Sequence, residues 1–279
     1  MLTLVLSFVC LAIAAYFTYS FGEGGHWVLA ILAGVVGFLI PAVPINFWIR
    51  KRMMAVLGRF QANLMEFQEN LRKKINVMQM KNQVGPKFQA QIEKEAADNI
   101  RANLKQLDEL DEMKIWNVLA KRQADTIRGQ MLFQIKDYDA AAPLLKKALV
   151  TEPILQAMLI VVYYREGNMQ MVEKEFNKGV GRFKFEKGLL IYALYSWILV
   201  KEKKMDEAIK VLTEAKDKMD NQMIENNLKA IANNKPNLFN NSALGEEWYA
   251  LGLETPPPQR IYQQSQFGGG RQSRAAMYR

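Results

Sequence analysis

Two long apolar stretches without a charged side chain open this chain, and they predict two membrane-spanning helices. Leu2–Phe21 and residues 27–49 contain no Lys, Arg, Asp or Glu, and each has 20 or more residues. At a rise of about 1.5 Å per residue, such a helix crosses a hydrocarbon core of about 30 Å. Only a tight turn fits into residues 22–26. The pattern therefore predicts a transmembrane helical hairpin over residues 1–49.

Basic residues beside the second stretch predict the orientation of this hairpin. Arg50, Lys51, Arg52 and Arg59 follow the stretch directly, and basic residues next to a span are retained in the cytoplasm. We therefore expect an integral membrane protein, of the bacterial inner membrane, whose soluble part is cytoplasmic and whose four basic residues lie against an anionic membrane surface. A cleaved signal peptide is the alternative for Leu2–Phe21, but that stretch has no basic n-region and no clean small-residue cleavage site.

A face of small residues lies within the second stretch. Ala30, Ala33, Gly34 and Gly37 recur at three- and four-residue spacing, which lets two membrane helices approach closely. The face is predicted to pack on the first helix of the hairpin, and a dimer contact is the alternative.

Residues 50–119 have the pattern of long juxtamembrane amphipathic helices. An apolar stripe from Leu57 to Met78 ends at Gly85-Pro86, and a second stripe runs from Phe88 to Met113. The first stripe is close to a heptad seam, so a short coiled coil and packing on the rest of the chain are both open. An acidic run at residues 108–112 opposes the helix dipole and predicts a helix break or a basic neighbour.

From residue 120 the pattern changes to pairs of helices joined by short polar turns. These turns are predicted at residues 135–137, 166–168 and 202–204. Ala141, Val172 and Ala208 occupy the equivalent place in each second helix, at spacings of 31 and 36 residues. A helical hairpin that recurs at about 34 residues is typical of a helical solenoid. The apolar residues 154–164 and 189–200 are too short to span a membrane, which predicts central helices covered on both sides.

This pattern resembles the tetratricopeptide repeat over about 100 of the 279 residues. The matching positions are Gly129, Ala141, Leu145, Ala148 and Pro153 in the first unit, and Tyr192, Ser196, Leu199, Ala208, Leu212 and Ala215 in the third. Asp125 departs from the aromatic residue that the family prefers. In the middle unit Phe176 fits, whereas Val172 and Gly179 stand in place of alanines. The resemblance implies an all-α chain with an antiparallel helix-hairpin solenoid over residues 120–254.

Solenoids of this family hold an extended peptide or a partner helix on a concave face lined by the first helix of each unit. The resemblance places eight residues on that face: Gln123, Thr126, Gln130, Gln134, Tyr164, Arg165, Trp197 and Lys201. The amides would bond a peptide backbone, the two cations a carboxylate, and the two aromatic rings an apolar side chain. For Trp197 and Tyr164 a place in the core is the alternative.

Composition narrows the possible chemistry. Cys10 and His26 are the single cysteine and the single histidine, which excludes an intrachain disulfide, a Cys/His metal cluster and a Ser-His or Cys-His nucleophile in the soluble part. No phosphate-binding glycine motif follows a strand-like run. We therefore predict no cofactor, no metal and no enzymatic activity.

The net charge of +9 does not by itself predict nucleic-acid binding, which we regard as unfavoured. Residues 255–279 combine Pro, Gln, Gly and Arg and predict a disordered basic tail. Contact of that tail with RNA or anionic lipid is the alternative to a solubilising role.

These observations favour a membrane-tethered adaptor that recruits a cytoplasmic protein or peptide partner and organises a membrane complex. A self-associating scaffold, a homo-oligomer through the small-residue face and the 57–78 stripe, is one alternative. Another is a non-catalytic accessory factor to a membrane biosynthetic or transport enzyme, because the layout of two N-terminal spans followed by cytoplasmic helical repeats is similar to HemY-type proteins.

Overall fold

Helices account for the secondary structure of the described part of the chain. The computed structural model describes residues 2–21, 27–81, 85–115 and 118–256, and these contain no strand. The predicted all-α class is therefore confirmed for this part of the chain. The predicted turn at residues 22–26 and most of the predicted basic tail, from residue 257 onward, lie outside the described residues.

Helices α1 (Leu2–Phe21) and α2 (Trp27–Met80) form an antiparallel pair at the N-terminus. Phe8 packs edge-to-face on Phe38 at a ring-centroid distance of 5.4 Å, and Gly34 faces Leu11 and Ala15 farther along α1. Both helices are long and apolar enough to cross a membrane by length and composition.

The second apolar stretch and the apolar stripe from Leu57 to Met78 belong to one uninterrupted helix. α2 contains 54 residues and passes through Pro41 and Pro44 without a break. It ends at Met80, shortly before the predicted break, and α3 (Pro86–Leu104) begins with a proline in its first turn. That position suits proline because the first N–H groups of a helix have no intrahelical acceptor.

α3 folds back along α2 and is followed by two 3-10 turns, Lys105–Leu107 and Glu112–Ile115, around the single-turn helix α4 (Asp108–Asp111). Lys74 pairs with Glu95, and Arg59 Nη2 lies 2.8 Å from Glu109 Oε2. The predictions for the acidic run are confirmed, because the regular helix breaks there and the carboxylates meet basic side chains.

A small apolar core joins α2 and α3 to the rest of the protein. Ile49, Val56 and Phe60 of α2 are buried together with Ala120 and Ala124 of the following helix. On the other side of the cluster, Leu107, Leu110 and Met113 are also buried. The helices of residues 50–119 thus pack on the helical body, as expected for the alternative to a coiled coil.

Three helical hairpins and one single helix form that body. The hairpins are α5 (Val118–Gln134) with α6 (Tyr138–Leu145), α7 (Pro153–Arg165) with α8 (Met169–Arg182), and α9 (Leu189–Lys201) with α10 (Met205–Lys218); α11 (Gln222–Ala232) follows them. We refer to residues 118–256 as the hairpin body.

The same backbone turn ends each first helix of these hairpins. Lys136, Gly167 and Lys203 adopt φ values of 63°, 71° and 61°, within the turns predicted from the sequence. In each turn this residue's N–H donates to the carbonyl three residues back, and the next N–H donates to the carbonyl five residues before it. This is the Schellman pattern, which satisfies the last carbonyls of a helix. Asn234 repeats it after α11, so α11 ends in the way the first helices do.

The core of the hairpin body is centred on α7 and α9. Eight consecutive residues of α7, 155–162, and ten of α9, 190–199, are buried. The prediction that these two apolar segments are covered central helices is confirmed. The equivalent residues Ala141, Val172 and Ala208 are each 0% exposed.

Candidate partner-binding face

Four of the predicted groove residues come together at the C-terminal ends of α7 and α9. Tyr164 and Trp197 pack edge-to-face with ring centroids 6.2 Å apart. Lys201 Nζ lies 5.0 Å from the centre of the Trp197 ring, and the Arg165 guanidinium lies 3.7 Å from the centre of the Tyr138 ring. Cations over aromatic faces are held by the ring quadrupole. We call Tyr138, Tyr164, Arg165, Trp197 and Lys201 the aromatic face.

The C-terminal segment, residues 239–254, crosses this face. Its only regular α-helix is the single turn α12 (Glu246–Tyr249). Trp248 is 0% exposed and packs on Trp197 with ring centroids 6.0 Å apart. One carboxylate then joins the two indoles, because Trp197 Nε1 donates to Glu254 Oε1 at 2.8 Å and Trp248 Nε1 donates to Glu254 Oε2 at 2.7 Å.

A second set of hydrogen bonds fixes the start of the C-terminal segment. Asn241 Nδ2 donates to the Ala193 carbonyl of α9 at 3.0 Å. Asn227 of α11 donates to Asn241 Oδ1 at 2.8 Å and accepts from the Asn240 backbone N–H at 2.9 Å. Asn227 and Asn241 are each 1% exposed. Buried amides of this kind are stable only when their polar atoms are paired, so these contacts specify the position of the segment.

The last residues of the segment reach the first hairpin. Gly252 has a φ of 65°, and a Cβ at this position would lie 2.6 Å from the Tyr138 hydroxyl oxygen. Only glycine fits, because its backbone is left-handed and the phenol leaves no room for a side chain. Arg165 Nη2 also approaches the Gly252 carbonyl at 3.5 Å.

The C-terminal segment therefore covers part of the concave face that was predicted at this place. Trp197 is only 8% exposed and belongs to the core, which is the alternative stated for it. Tyr164 is half-buried, and burial together with the nearby Glu202 raises the pKa of its phenol. Arg165 and Lys201 remain exposed at the margin of the C-terminal segment.

The four residues predicted on α5 do not form one open surface. Thr126 is 7% exposed; its Oγ1 donates to the Arg122 carbonyl at 2.7 Å and accepts from the Leu149 N–H at 2.9 Å, so it ties α5 to the α6–α7 connection. Gln123 and Gln130 are half-buried, and Gln134 is exposed. Within the described residues, no hydrogen bond links these glutamines to the aromatic face.

Sequence reasoning missed the residues that hold the C-terminal segment: Asn227, Asn241, Gly252 and Glu254. The recurrence of apolar residues between Phe239 and Leu251 indicates a packed element but does not give its location. An additional signal is the concentration of asparagines at positions 233, 234, 237, 240 and 241, since asparagine favours turns and caps rather than a further helix.

A polar cluster lies on the opposite side of α9. Tyr192 Oη donates to Glu214 Oε1 at 2.8 Å, and Lys218 Nζ donates to the same carboxylate oxygen at 2.6 Å and to Tyr192 Oη at 2.9 Å. The hydrogen bond from Lys218 lowers the pKa of the Glu214 carboxyl, and burial raises the pKa of the Tyr192 phenol. These groups satisfy one another across the α9–α10 hairpin.

The small-residue face lies against α1. A Cβ on Gly37 would stand 2.8 Å from Ala14 Cβ and 2.9 Å from the Cys10 carbonyl oxygen. Ala30 and Gly34 are buried and Ala33 is half-buried. Within the described residues these contacts are made inside the hairpin.

The four basic residues that follow the second apolar stretch, which we call the basic junction, lie in two environments. Arg52 lies 3.6 Å from Glu112 and over the Trp48 ring, and Arg59 pairs with Glu109. Arg50 and Lys51 are exposed. Arg52 and Arg59 thus contribute to the fold as well as to the charge of the junction.

Neither a metal centre nor a match to another protein identifies the chain. Among the described residues, no group of three or more His, Cys, Asp or Glu side chains can hold a metal ion. Comparison with protein-family models, curated proteins and solved structures finds no match, so similarity establishes neither tetratricopeptide-repeat membership nor a relationship to HemY-type proteins.

Proposed function

We propose that this protein is a membrane-tethered, non-catalytic adaptor that holds a cytoplasmic protein partner at the membrane. The observation that carries the proposal is the continuity of α2. One helix contains the second apolar stretch and, through Ile49, Val56 and Phe60, the core shared with the hairpin body. Such a connection holds a helical body close to the bilayer, which raises the effective concentration of anything bound to it.

The partner surface that we favour is the exposed margin of the aromatic face. Arg165 and Lys201 are exposed beside the C-terminal segment, and each is stacked on an aromatic ring. Stacking orders a long cationic side chain before it binds, so less conformational entropy is lost on binding. Two such cations suit a partner segment that carries carboxylates, which would bind across the C-terminal segment without displacing it.

The experiment is a crosslinking pull-down from native membranes with the full chain. The double substitution Arg165→Glu and Lys201→Glu is expected to abolish capture of a specific partner. The matched control is Lys174→Glu and Lys210→Glu, two exposed charge reversals on the second helices α8 and α10. Circular dichroism of both variants checks that the helices are retained. Equal capture by the two variants would exclude this surface.

A self-associating scaffold has less support than an adaptor. Both surfaces considered for it make contacts within the chain, the small-residue face with α1 and the start of the 57–78 stripe with the core that includes Leu107 and Ala120. An accessory role to a membrane enzyme remains compatible with the adaptor proposal, and the captured partner would identify it.

A further inference from the structure

The connection between α8 and α9 exposes an aromatic ring on a strained backbone. Phe185 is 69% exposed and has a φ of 56°. A bulky residue in the left-handed region is a rare outlier that costs of the order of 1–3 kcal/mol and persists only where the surroundings enforce it. The exposure of this large ring and the strain of its backbone therefore both need a physical explanation.

Neighbouring contacts enforce this turn. Phe183 is buried in the core of the hairpin body, and a Cβ on Gly188 would lie 2.6 Å from the Phe183 carbonyl oxygen, so the chain folds back tightly there. Arg182 Nη1 donates to the Val150 carbonyl at 2.7 Å and ties the turn to the α6–α7 connection. The Phe183 side chain is thus held in the core, whereas the Phe185 side chain is held at the surface.

The charges beside Phe185 are mainly positive. Lys184 and Lys187 flank the ring and are exposed, and Glu186 is the single acid of the connection. No ion pair within the described residues involves either lysine. Of the neighbouring connections, that between α6 and α7 carries Lys146, Lys147 and Glu152, and that between α10 and α11 carries Asp220.

The direction of the helices places this turn at the membrane end of the hairpin body. Ala120, near the start of α5, belongs to the same buried cluster as Ile49 at the end of the apolar stretch. Lys136, just beyond the end of α5, pairs with Glu93 in the middle of α3, close to the Glu95 that pairs with Lys74 of α2. α5 therefore starts beside the apolar stretch and points away from it. Because successive helices in hairpins alternate in direction, the α8–α9 connection lies on the side where α5 starts.

We propose that the α8–α9 connection docks on the anionic phospholipid bilayer that holds α1 and α2. Phe185 enters the interfacial layer, and Lys184 and Lys187 contact lipid phosphates. An aromatic ring gains from the interface through its apolar surface, and each nearby cation gains from the negative leaflet potential. This inference rests on the proposed membrane tether and adds a second contact that fixes the tilt of the hairpin body.

The test uses the full chain in vesicles, with Cys10→Ser as background because Cys10 is the only cysteine. An environment-sensitive fluorophore is attached at Glu186→Cys, or at Lys203→Cys in the turn at the opposite end of α9. The vesicles contain phosphatidylcholine with phosphatidylglycerol and a headgroup-linked nitroxide quencher. We expect several-fold stronger quenching at position 186 than at 203. Phe185→Ser, or Lys184→Glu with Lys187→Glu, should reduce the quenching at 186 to the level at 203.

Alkaline carbonate extraction of the same vesicles separates the two proposals. A protein that resists extraction but shows equal, weak quenching at both positions would overturn the docking while leaving the tether intact. A protein that is extracted would overturn the tether and the docking with it. Strong quenching at 186 that persists in both substituted variants would also overturn the docking, because it would not depend on Phe185 or the lysines.

Discussion

At the scale of single residues, two glycines inside long helices lie where a methyl group does not fit. Gly37 packs against Ala14 and the Cys10 carbonyl, and Gly179 packs against Gln156 and Ile191. Each has a counterpart on the same helix with nothing within 4 Å of the added Cβ, Gly58 on α2 and Gly181 on α8. The effect of alanine at these four positions therefore depends on packing and not on helix propensity alone.

We expect Gly37→Ala to destabilise the α1–α2 pair by about 1–3 kcal/mol, because the helices must separate to admit the methyl group. Gly58→Ala should stabilise the protein by about 0.5–1 kcal/mol, since alanine loses less backbone entropy in a helix. The measurement is reversible unfolding by SDS titration in mixed micelles. A stabilising Gly37→Ala would contradict the close packing of this face on α1.

Gly179 and Gly181 on α8 give the same comparison, a crowded glycine against an uncrowded one, in the hairpin body. A Cβ on Gly179 would lie 2.8 Å from Gln156 Cγ and 3.0 Å from Ile191 Cδ1, and both side chains are fully buried. Gly179→Ala should therefore cost about 1–3 kcal/mol in the free energy of unfolding, whereas Gly181→Ala should be neutral or stabilising. Denaturant unfolding followed by circular dichroism checks both, and equal effects would refute the close contact.

Tyr195 provides a prediction for alkaline pH. The ring stacks on Phe176 at a centroid distance of 4.1 Å. Burial, followed by the negative charges of Glu173 and Glu207, raises the pKa of its phenol to about 12. Because the pKa of Tyr195 is higher in the folded than in the unfolded state, its contribution to the free energy of unfolding is complete below the unfolded-state pKa of about 10. This contribution is lost as the pH rises through the folded-state pKa. The free energy of unfolding that is lost between these two pKa values is about 2–3 kcal/mol.

We therefore expect the wild-type protein to lose more stability than Tyr195→Phe between about pH 10 and pH 12. Phenylalanine keeps the stacked ring and lacks the ionisable hydroxyl, so it serves as the matched control. Denaturant unfolding in detergent at several pH values gives the comparison. Parallel pH profiles for the two proteins would show that Tyr195 does not carry this dependence.

At the scale of secondary-structure elements, the C-terminal segment is the element that completes the core. It contributes Trp248 and Leu251, both 0% exposed, to a cluster that otherwise consists of residues from the hairpins and α11. The segment has only the 3-10 turn Ser242–Leu244 and the single turn of α12, so its position depends on side-chain contacts rather than on its own backbone pattern.

Trp248→Ala is expected to destabilise the hairpin body by about 3–5 kcal/mol, because it leaves a large cavity beside Trp197. Leu238→Ala is the control, since Leu238 lies close to the segment but is 61% exposed. Thermal unfolding of the two variants in detergent tests the difference. A loss for Trp248→Ala no greater than that for Leu238→Ala would contradict the observed burial.

Glu254→Gln probes the carboxylate between the two indoles. The amide retains one acceptor oxygen, so one of the two indole N–H groups loses its partner, at a cost of about 1–3 kcal/mol. Nitrogen-labelled tryptophan gives the readout, because the N–H resonances of Trp197 and Trp248 report their hydrogen bonds. We expect at least one of them to shift. Unchanged resonances would show that Glu254 does not bridge the rings.

At the scale of the whole molecule, Arg128 joins α4 to the hairpin body. Its guanidinium lies 2.7 Å from Asp108, 3.0 Å from Asp111 and 3.2 Å from Asp125, and its side chain is 13% exposed. Three carboxylates therefore share one largely buried cation between α4 and α5. Lys121 also pairs with Asp111 and Asp125, so removal of Arg128 leaves one cation for three carboxylates at the joint.

Arg128→Met should loosen the orientation of the hairpin body relative to α2. The measurement is the distance distribution between spin labels at Met65→Cys and Lys203→Cys in the Cys10→Ser background. We expect a broader distribution for Arg128→Met and no change for the control Lys210→Met, whose side chain is exposed on α10. A distribution as narrow as that of the parent protein would show that the apolar core alone holds the joint.

The sequence alone determined those features that depend on neighbours within a few residues. The two uncharged stretches, the break before Pro86, the turns at Lys136, Gly167 and Lys203, and the covered helices α7 and α9 all follow from local composition and helical periodicity. Their physical basis is local as well: an apolar face must be covered, and a helix must end where a left-handed residue satisfies its last carbonyls.

Only the tertiary structure decided which surfaces remain open. The contacts that cover the aromatic face join residues far apart in the chain, such as Trp197 with Glu254 and Arg165 with Gly252. The pairing of Arg59 with Glu109 is of the same kind. Periodicity identifies a face that needs covering but not the segment that covers it, because that choice depends on how much apolar surface each arrangement buries and on whether every buried amide and carboxylate finds a partner.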